Sequence, residues 1–142
     1  MLRLTIVSIL LCTMSISANA DRLWVGGWSH HFNSKDTTNS VHRAVMYEKE
    51  FSPFSLMVGY FENSYGRDVA MVSLNTRIPV GDWELVYGGG VNKGYRECYG
   101  DDGVKGRLCP HFFVGASYTR FKINPSVKLF GDAVIFIPEI RW

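Results

Sequence analysis

One-for-one alternation of apolar and polar residues is the feature that most constrains this chain. In residues 54–63, Phe54, Leu56, Val58 and Tyr60 share one parity, and small or polar residues occupy most of the other. Side chains of a β-strand point to opposite faces with a period of two, so this pattern predicts a strand with one apolar face. A second alternating run at 70–78 follows, which predicts a hairpin with a polar turn between the two strands.

Similar alternation elsewhere predicts eight strands, the last of them very short. We place them at 22–32, 43–51, 54–63, 70–78, 83–93, 111–121, 127–137 and 139–142. The connections alternate between long polar loops, such as 94–110, and short turns, such as 52–53 and 79–82. Short turns at one end, longer loops at the other and an even strand count are typical of outer-membrane barrels. We therefore expect an all-β, eight-stranded antiparallel up-and-down transmembrane β-barrel with a short last strand.

The first twenty residues have the pattern of a secretory signal peptide. A basic start at Arg3 precedes an apolar run at 4–11, and Ala18-Asn19-Ala20 supplies small residues before Asp21. This apolar run is too short to span a bilayer. We expect 1–20 to be removed and 21–142 to form the barrel, located in the outer membrane of a Gram-negative cell.

Charge and cysteine content narrow the classes of partner. The formal net charge of the whole chain is +2, so nucleic acid is not an implied partner. Cys98 and Cys109 lie in one loop of an exported chain, which predicts a disulfide rather than a metal site. We expect outer-membrane lipids as partners, a monomer, and no metal.

A soluble periplasmic barrel is the structural alternative. Its strands would also alternate, but with polar residues outside. Here one face of each strand is aromatic or aliphatic, including Trp24 in the first strand, and we expect this face to contact lipid. The opposite face carries Glu, Asn, Arg and Lys, including Glu48 and Arg77, so a soluble core built from these second faces would bury charges. A membrane barrel with a polar lumen accommodates both faces.

Polar residues that suit acyl-transfer chemistry fall at the outer end of the predicted barrel. His31 ends the first strand, Asn63 and Ser64 end the third, and Arg67 follows in the turn. A histidine within hydrogen-bond distance of a serine activates the hydroxyl as a nucleophile, and a third group orients the histidine. The same residue types also occur in ordinary turns and at membrane interfaces, so composition alone leaves a non-catalytic role open.

The chain resembles the lipid A palmitoyltransferase family of Gram-negative outer membranes. Four segments carry the resemblance: Trp28-Ser29-His30-His31-Phe32 is similar to the family's Trp-His-x-x-Phe, Phe61-Glu62-Asn63-Ser64-Tyr65 to its Phe-Lys-Asp-Ser-Trp, Pro110 to the proline that opens strand six, and Phe136-Ile137-Pro138 to its Tyr-Ile-Pro. The resemblance implies an eight-stranded barrel that moves a palmitoyl chain from a phospholipid to lipid A without a cofactor.

The family's active residues are a histidine, an aspartate and a serine at the outer surface. Ser64 matches the serine, and Asn63 stands where the aspartate belongs. Ser29 aligns with the histidine, so His31, which has the same strand parity, is preferred to His30. Expected substrate-binding residues are Arg67, Met71, Ser73, Asn75 and Gly88, with Asn75 near the family's pocket-floor glycine.

Because Asn63 replaces the family's aspartate, both a catalytic and a non-catalytic barrel remain as hypotheses. Asn63 lacks the charge of an aspartate, but it can orient a histidine by hydrogen bonding. A non-catalytic barrel of the same fold, which binds lipid or shields the surface, is therefore the second hypothesis. The distance between His31 and Ser64 discriminates between the two. We also expect Pro138, which lacks a backbone donor, to loosen strand pairing and open a lateral path for lipid.

Overall fold

A computed structural model describes residues 21–32, 40–95 and 108–142 of the chain. The predicted signal peptide at 1–20 lies outside the described residues, and so does Cys98. The Cys98–Cys109 disulfide therefore stays a prediction, although Cys109 itself is buried. Within the described ranges, no helix has the length and apolar character needed to cross a membrane.

The described residues form one closed antiparallel sheet. Its strands are β1 (Arg22–Val25), β2 (Trp28–His31), β3 (Ala44–Phe51), β4 (Phe54–Glu62), β5 (Asp68–Val80), β6 (Trp83–Lys93), β7 (Leu108–Tyr118), β8 (Ile123–Phe130) and β9 (Ala133–Arg141). Neighbours along the chain pair from β3 to β9, and β1 pairs with both β3 and β9, which closes a ring of eight. The additional strand β2 is bonded to β9 outside this ring. The eight-stranded up-and-down barrel is thus confirmed.

A β-bulge at Gly26-Gly27 divides the predicted first strand into β1 and β2. Trp24 pairs with Glu139 and Trp28 pairs with Phe136, so four residues on one side oppose three on the other. Gly26 has a φ of 66°, a left-handed conformation that glycine adopts without steric cost. The extra residue exchanges the two faces, because the side-chain period is two. Trp24, predicted to face lipid, therefore points into the lumen, where it is 3 % exposed.

The predicted boundaries of the last two strands were wrong. The segment predicted as one strand over 127–137 contains a tight turn at Gly131-Asp132, between β8 and β9. Gly131 has a φ of 60°, which suits a two-residue hairpin turn. Residues 123–126, predicted as a turn, belong to β8 instead. The last strand is therefore nine residues long rather than short.

The two barrel ends differ in their connections. Asp21, Trp142 and the short turns at 52–53, 81–82 and 119–122 lie at one end, which we call the terminus end. The longer connections after β2, β4 and β6 start at the other end, which we call the loop end, and the Gly131-Asp132 turn lies there.

Polar side chains fill the lumen, and apolar side chains cover the outside. Buried polar and charged residues come from every part of the ring; they include Arg22, Glu48, Ser55, Ser73, Asn75, Asn92, Ser117, Asn124, Lys128 and Glu139. Exposed apolar residues occupy the alternate positions, among them Val45, Leu56, Val72, Leu74, Leu85, Val91, Val114 and Leu129. The predicted assignment of faces is confirmed for β3 to β6.

Candidate functional site

A serine, a histidine and an aspartate meet at the loop end of the lumen. His31 Nε2 lies 2.6 Å from Ser64 Oγ, and His31 Nδ1 lies 3.3 Å from Asp132 Oδ1. A carboxylate oxygen only accepts hydrogen bonds, so Nδ1 carries the ring proton when the histidine is neutral. Nε2 is then free to accept from the Ser64 hydroxyl. This is the arrangement in which a histidine activates a serine nucleophile.

Three separate elements bring these side chains together. His31 is the last residue of β2, Ser64 lies in the turn between β4 and β5, and Asp132 lies in the turn between β8 and β9. The bulge at Gly26-Gly27 turns β2 so that His31 faces inward. His30 points outward, where its ring stacks on Trp28 and contacts Phe32. The structure therefore brings His31, and not His30, to Ser64.

Asn63 shapes the turn that presents Ser64, rather than contacting the histidine. Its side-chain Oδ1 accepts hydrogen bonds from the backbone amides of Tyr65 and Arg67, each at 3.0 Å. These two bonds determine the orientation of the amide, because only the oxygen accepts. Asn63 is 2 % exposed, and among the described residues its Nδ2 has no hydrogen-bond partner. Among the described residues no hydrogen bond joins Asn63 to His31, and the carboxylate of Asp132 lies against His31 Nδ1 instead.

An apolar cavity of about 310 Å³ opens beside the three residues. Ser64, His31 and Asp132 lie in its wall together with Asn63. Its apolar lining comes from Trp24, Ala44, Met46, Met57, Phe61, Met71, Phe113, Phe130, Ile135 and Ile137. A cavity that is mostly apolar and has a few polar groups at one end suits an acyl chain with an ester at its head.

The predicted substrate-binding residues divide between the cavity and the lumen wall. Met71 lines the cavity, whereas Ser73, Asn75 and Gly88 pack together nearer the terminus end. The Ser73 hydroxyl donates to Asn75 Oδ1 at 2.8 Å, and a Cβ on Gly88 would meet the Asn75 side chain. Asn75 is therefore not the cavity floor. Arg67 is exposed in the turn after Ser64.

Asp132 and Tyr95 are the site residues that the sequence reasoning missed. The signal for Asp132 was the Gly131-Asp132 pair, a common hairpin dipeptide, between two alternating runs. Tyr95 follows β6 and lines the cavity. Burial, with smaller contributions from Tyr65 and Asp132, raises the pKa of Tyr95 to about 12. Its phenol therefore stays protonated and can donate a hydrogen bond near neutral pH.

A gap in strand pairing lies beside the site. Pairing between β7 and β8 begins only at Phe113↔Phe130, because the β8–β9 hairpin is shorter than β7 at the loop end. A second hollow of about 490 Å³ occupies this position and shares Tyr95, Phe130 and Gly131 with the first. Pro110, in the part of β7 beyond the hairpin, lines it as well.

The gap is not at Pro138, where we expected a lateral path. Pro138 lies within β9, directly opposite Pro125 of β8, in a ladder that continues on both sides. The expectation was wrong because the last strand is longer than predicted. The unpaired part of the wall belongs to β7 instead.

Comparisons with known proteins leave the family open. The sequence matches no protein-family model, and no curated protein is significantly similar to it.

Proposed function

We propose that this protein is an outer-membrane acyltransferase that moves an acyl chain from a phospholipid ester to lipid A. Ser64 acts as the nucleophile, His31 as the general base and acid, and Asp132 as the group that orients His31. The observation that carries the proposal is the 2.6 Å contact between His31 Nε2 and Ser64 Oγ at the mouth of an apolar cavity.

The distribution of side chains supports a membrane location. Apolar residues cover the outside and charged residues the lumen, the reverse of a soluble barrel. Exposed aromatic residues occur at both ends, as in the aromatic girdles of outer-membrane barrels. Trp28, Phe32, Tyr65 and Phe112 lie at the loop end, and Phe51, Phe54, Trp83, Phe121 and Trp142 at the terminus end. Burying this surface in lipid removes it from water, which a soluble monomer would not achieve.

The chemistry follows from the tautomer of His31. Ser64 Oγ attacks the ester carbonyl of the phospholipid while His31 Nε2 takes the hydroxyl proton. The ester bond then breaks, and the departing lysophospholipid oxygen receives that proton. In the second half, His31 takes a proton from a lipid A hydroxyl, whose oxygen attacks the carbonyl of the acyl-serine. The bond between the acyl group and Ser64 Oγ then breaks, and Oγ receives the proton back from His31. Asp132 stabilises the imidazolium that forms in each half.

We assign stabilisation of the oxyanion to Asn63 Nδ2, a donor without a partner among the described residues, on a side chain that lines the cavity beside Ser64. The side chain is held by its two bonds to backbone amides, so the Nδ2 group is fixed in direction before substrate arrives. A preorganised donor contributes more than one that must reorient. A buried amide without a partner also costs free energy, and this cost is recovered when a negatively charged oxygen accepts a hydrogen bond from it.

Both hollows suit the transit of a lipid chain. The second hollow, beside Pro110, adjoins the cavity, because Tyr95 and Phe130 line both. A phospholipid in the outer leaflet would insert its acyl chain through this gap in strand pairing. The ester would then lie near Ser64 while its headgroup stays at the surface.

Mass spectrometry of lipid A tests the proposal. The protein would be produced in a Gram-negative strain that lacks its own lipid A palmitoyltransferase, and its barrel fold checked by the electrophoretic mobility of unheated samples. We expect lipid A to gain the mass of one acyl chain. Ser64→Ala should abolish the gain. Ser126→Ala, a matched change of a buried lumen serine that donates to the backbone oxygen of Ile137 rather than to a histidine, should preserve it.

Two other outcomes would contradict acyl transfer. Unchanged lipid A in the presence of folded protein would favour the non-catalytic barrel. Lipid A that loses an acyl chain, in a manner that depends on Ser64, would show that the same three residues direct hydrolysis, with water as the acceptor.

A further inference from the structure

A second serine–histidine pair lies deeper in the same lumen. Ser29 Oγ lies 2.5 Å from His42 Nε2, and His42 Nδ1 lies 2.8 Å from the backbone oxygen of Glu62. A carbonyl oxygen only accepts, so Nδ1 carries the proton and Nε2 accepts from the Ser29 hydroxyl. The tautomer is therefore the one that the Ser64 site requires of His31, with a backbone carbonyl in place of Asp132.

The backbone holds this second pair in position. His42 N donates to the backbone oxygen of Gly27, and Ser29 N donates to that of Ser40, each at 2.8 Å. Ser29 is 2 % exposed and His42 is 9 % exposed. Hydrogen bonds on both sides thus place the imidazole against the hydroxyl before any ligand is present.

Both residues line the apolar cavity described above. Ser29 and His31 are two residues apart on the inward face of β2, a separation of about 7 Å along a strand. Gly26 and Gly27 line the cavity beside them. Because Ser29 and His42 are themselves part of the cavity wall, a chain in the cavity would lie against the pair.

We propose that Ser29 is a second nucleophilic serine, which accepts an acyl group from an ester whose chain occupies the cavity. Its Oγ attacks the ester carbonyl while His42 Nε2 takes the hydroxyl proton. The ester bond breaks, and the leaving alcohol receives the proton from His42. The product is an acyl-Ser29 ester. Burial limits its contact with water, so it persists until a hydroxyl acceptor removes it.

This second site does not depend on the Ser64 site, and the test separates them. The full chain, folded in detergent micelles, would be treated with a hexadecyl fluorophosphonate, which phosphonylates activated serines and releases fluoride. Intact mass and peptide mapping would count and locate the adducts. Because both sites share one cavity, we expect one adduct per molecule, which peptide mapping finds on either Ser29 or Ser64 in the unaltered protein. We expect it on Ser29 in the Ser64→Ala variant, on Ser64 in Ser29→Ala, and on neither serine in the double variant.

Two further variants serve as controls. His42→Gln should slow phosphonylation of Ser29 by about 100-fold or more, the usual contribution of a general base, and leave Ser64 labelling unchanged. Ser126→Ala should preserve both adducts, because its hydroxyl donates to a backbone carbonyl and not to a histidine. Electrophoretic mobility of unheated samples would verify that each variant is folded.

Each result decides between the two sites. A folded Ser64→Ala variant that carries no adduct overturns the proposal and makes the Ser29–His42 contact structural. An adduct on Ser29 but none on Ser64 supports this site and contradicts the function proposed for Ser64. Absence of both adducts contradicts both proposals, whereas labelling of Ser64 alone leaves only the function proposed above.

Discussion

The two halves of the lumen differ in the polarity of their side chains. The loop-end half is a cavity of about 310 Å³ walled mostly by apolar side chains, with Ser64, His31 and Asp132 at its mouth. The terminus-end half is filled by ion pairs. Arg77 bonds Glu48 at 2.5 Å, Glu139 at 3.2 Å and Glu84 at 3.3 Å, and Lys128 bonds Glu139 at 2.7 Å.

Trp24 lies at the boundary between the halves. Its indole nitrogen donates to Glu48 at 3.0 Å, and its ring lies 4.8 Å below the Lys128 ammonium and against Phe113. An eight-stranded barrel is just wide enough for side chains to fill. Such a barrel therefore has space for a ligand only where its inward side chains are short or apolar. Where the inward side chains are long charged pairs, they fill the lumen. The cavity is therefore closed towards the terminus end by Trp24 and the ion pairs beyond it.

The first prediction concerns catalysis in the loop-end half. Asp132→Asn removes the charge that stabilises the His31 imidazolium, so we expect acyl transfer to fall by about 10²–10⁴-fold. Stability should change little, because Asp132 is 51 % exposed. Turnover of a p-nitrophenyl acyl ester by detergent-solubilised protein measures the rate. Asp82→Asn, a similarly exposed aspartate at the terminus end, is the control and should retain full activity.

The second prediction concerns stability in the terminus-end half. Arg77→Met leaves Glu48 and Glu139, both fully buried, without their shared cation. Removing one partner of a buried ion pair typically costs about 3–5 kcal/mol. Urea unfolding in lipid vesicles measures the loss. Arg120→Met, which breaks an exposed pair with Asp82, should cost no more than about 1 kcal/mol. Equal losses in the two variants would show that the network does not hold this half together.

The third prediction separates the role of Asn63 from that of the triad. Asn63→Asp keeps the acceptor for the Tyr65 and Arg67 amides but replaces the Nδ2 donor with negative charge. Loss of an oxyanion donor typically lowers kcat by about 10²–10³-fold. We expect kcat for the p-nitrophenyl ester to fall while KM stays near its original value. Unchanged kcat would assign oxyanion binding to another donor.

The fourth prediction tests the shape of the cavity. Ala44→Leu places three more carbon atoms into the apolar wall, where Ala44 is 7 % exposed. We expect the preferred acyl chain to shorten, with a stability change below about 1.5 kcal/mol, because the added atoms enter empty space. Comparing esters of different chain length measures the preference. Ala116→Leu, on the outer face of β7, should leave the preference unchanged; a similar shift there would argue against the cavity as the chain site.

Much of the architecture followed from the alternation of apolar and polar residues. The period of two placed Ser64 at the end of a strand and assigned Glu48 and Arg77 to the lumen before any coordinates were known. The pairing of His31 with Ser64 was also predicted, because the strand ends of an up-and-down barrel gather at one mouth. The structure places the two side chains 2.6 Å apart.

The predictions failed where backbone geometry overrides the local pattern. An extra residue at Gly26-Gly27 exchanges the faces of the first strand, and alternation alone does not reveal where such a bulge lies. The Gly131-Asp132 turn lies inside an apolar stretch, so the continuous apolar pattern concealed it. Missing that turn also concealed Asp132, which contacts His31 Nδ1 where the resemblance had placed Asn63.

The sequence by itself determined the faces of β3 to β6, the polar lumen and the end of the barrel at which the reactive residues lie. All three depend on residues close together in the chain, for which a period of two is sufficient. Only the tertiary structure decided which residues touch. His31 and Asp132 are 101 positions apart. His42, which contacts Ser29, lies between β2 and β3, outside the named strands. Closure of the ring between β1 and β9 brings such positions together, and it depends on registers that no single strand encodes.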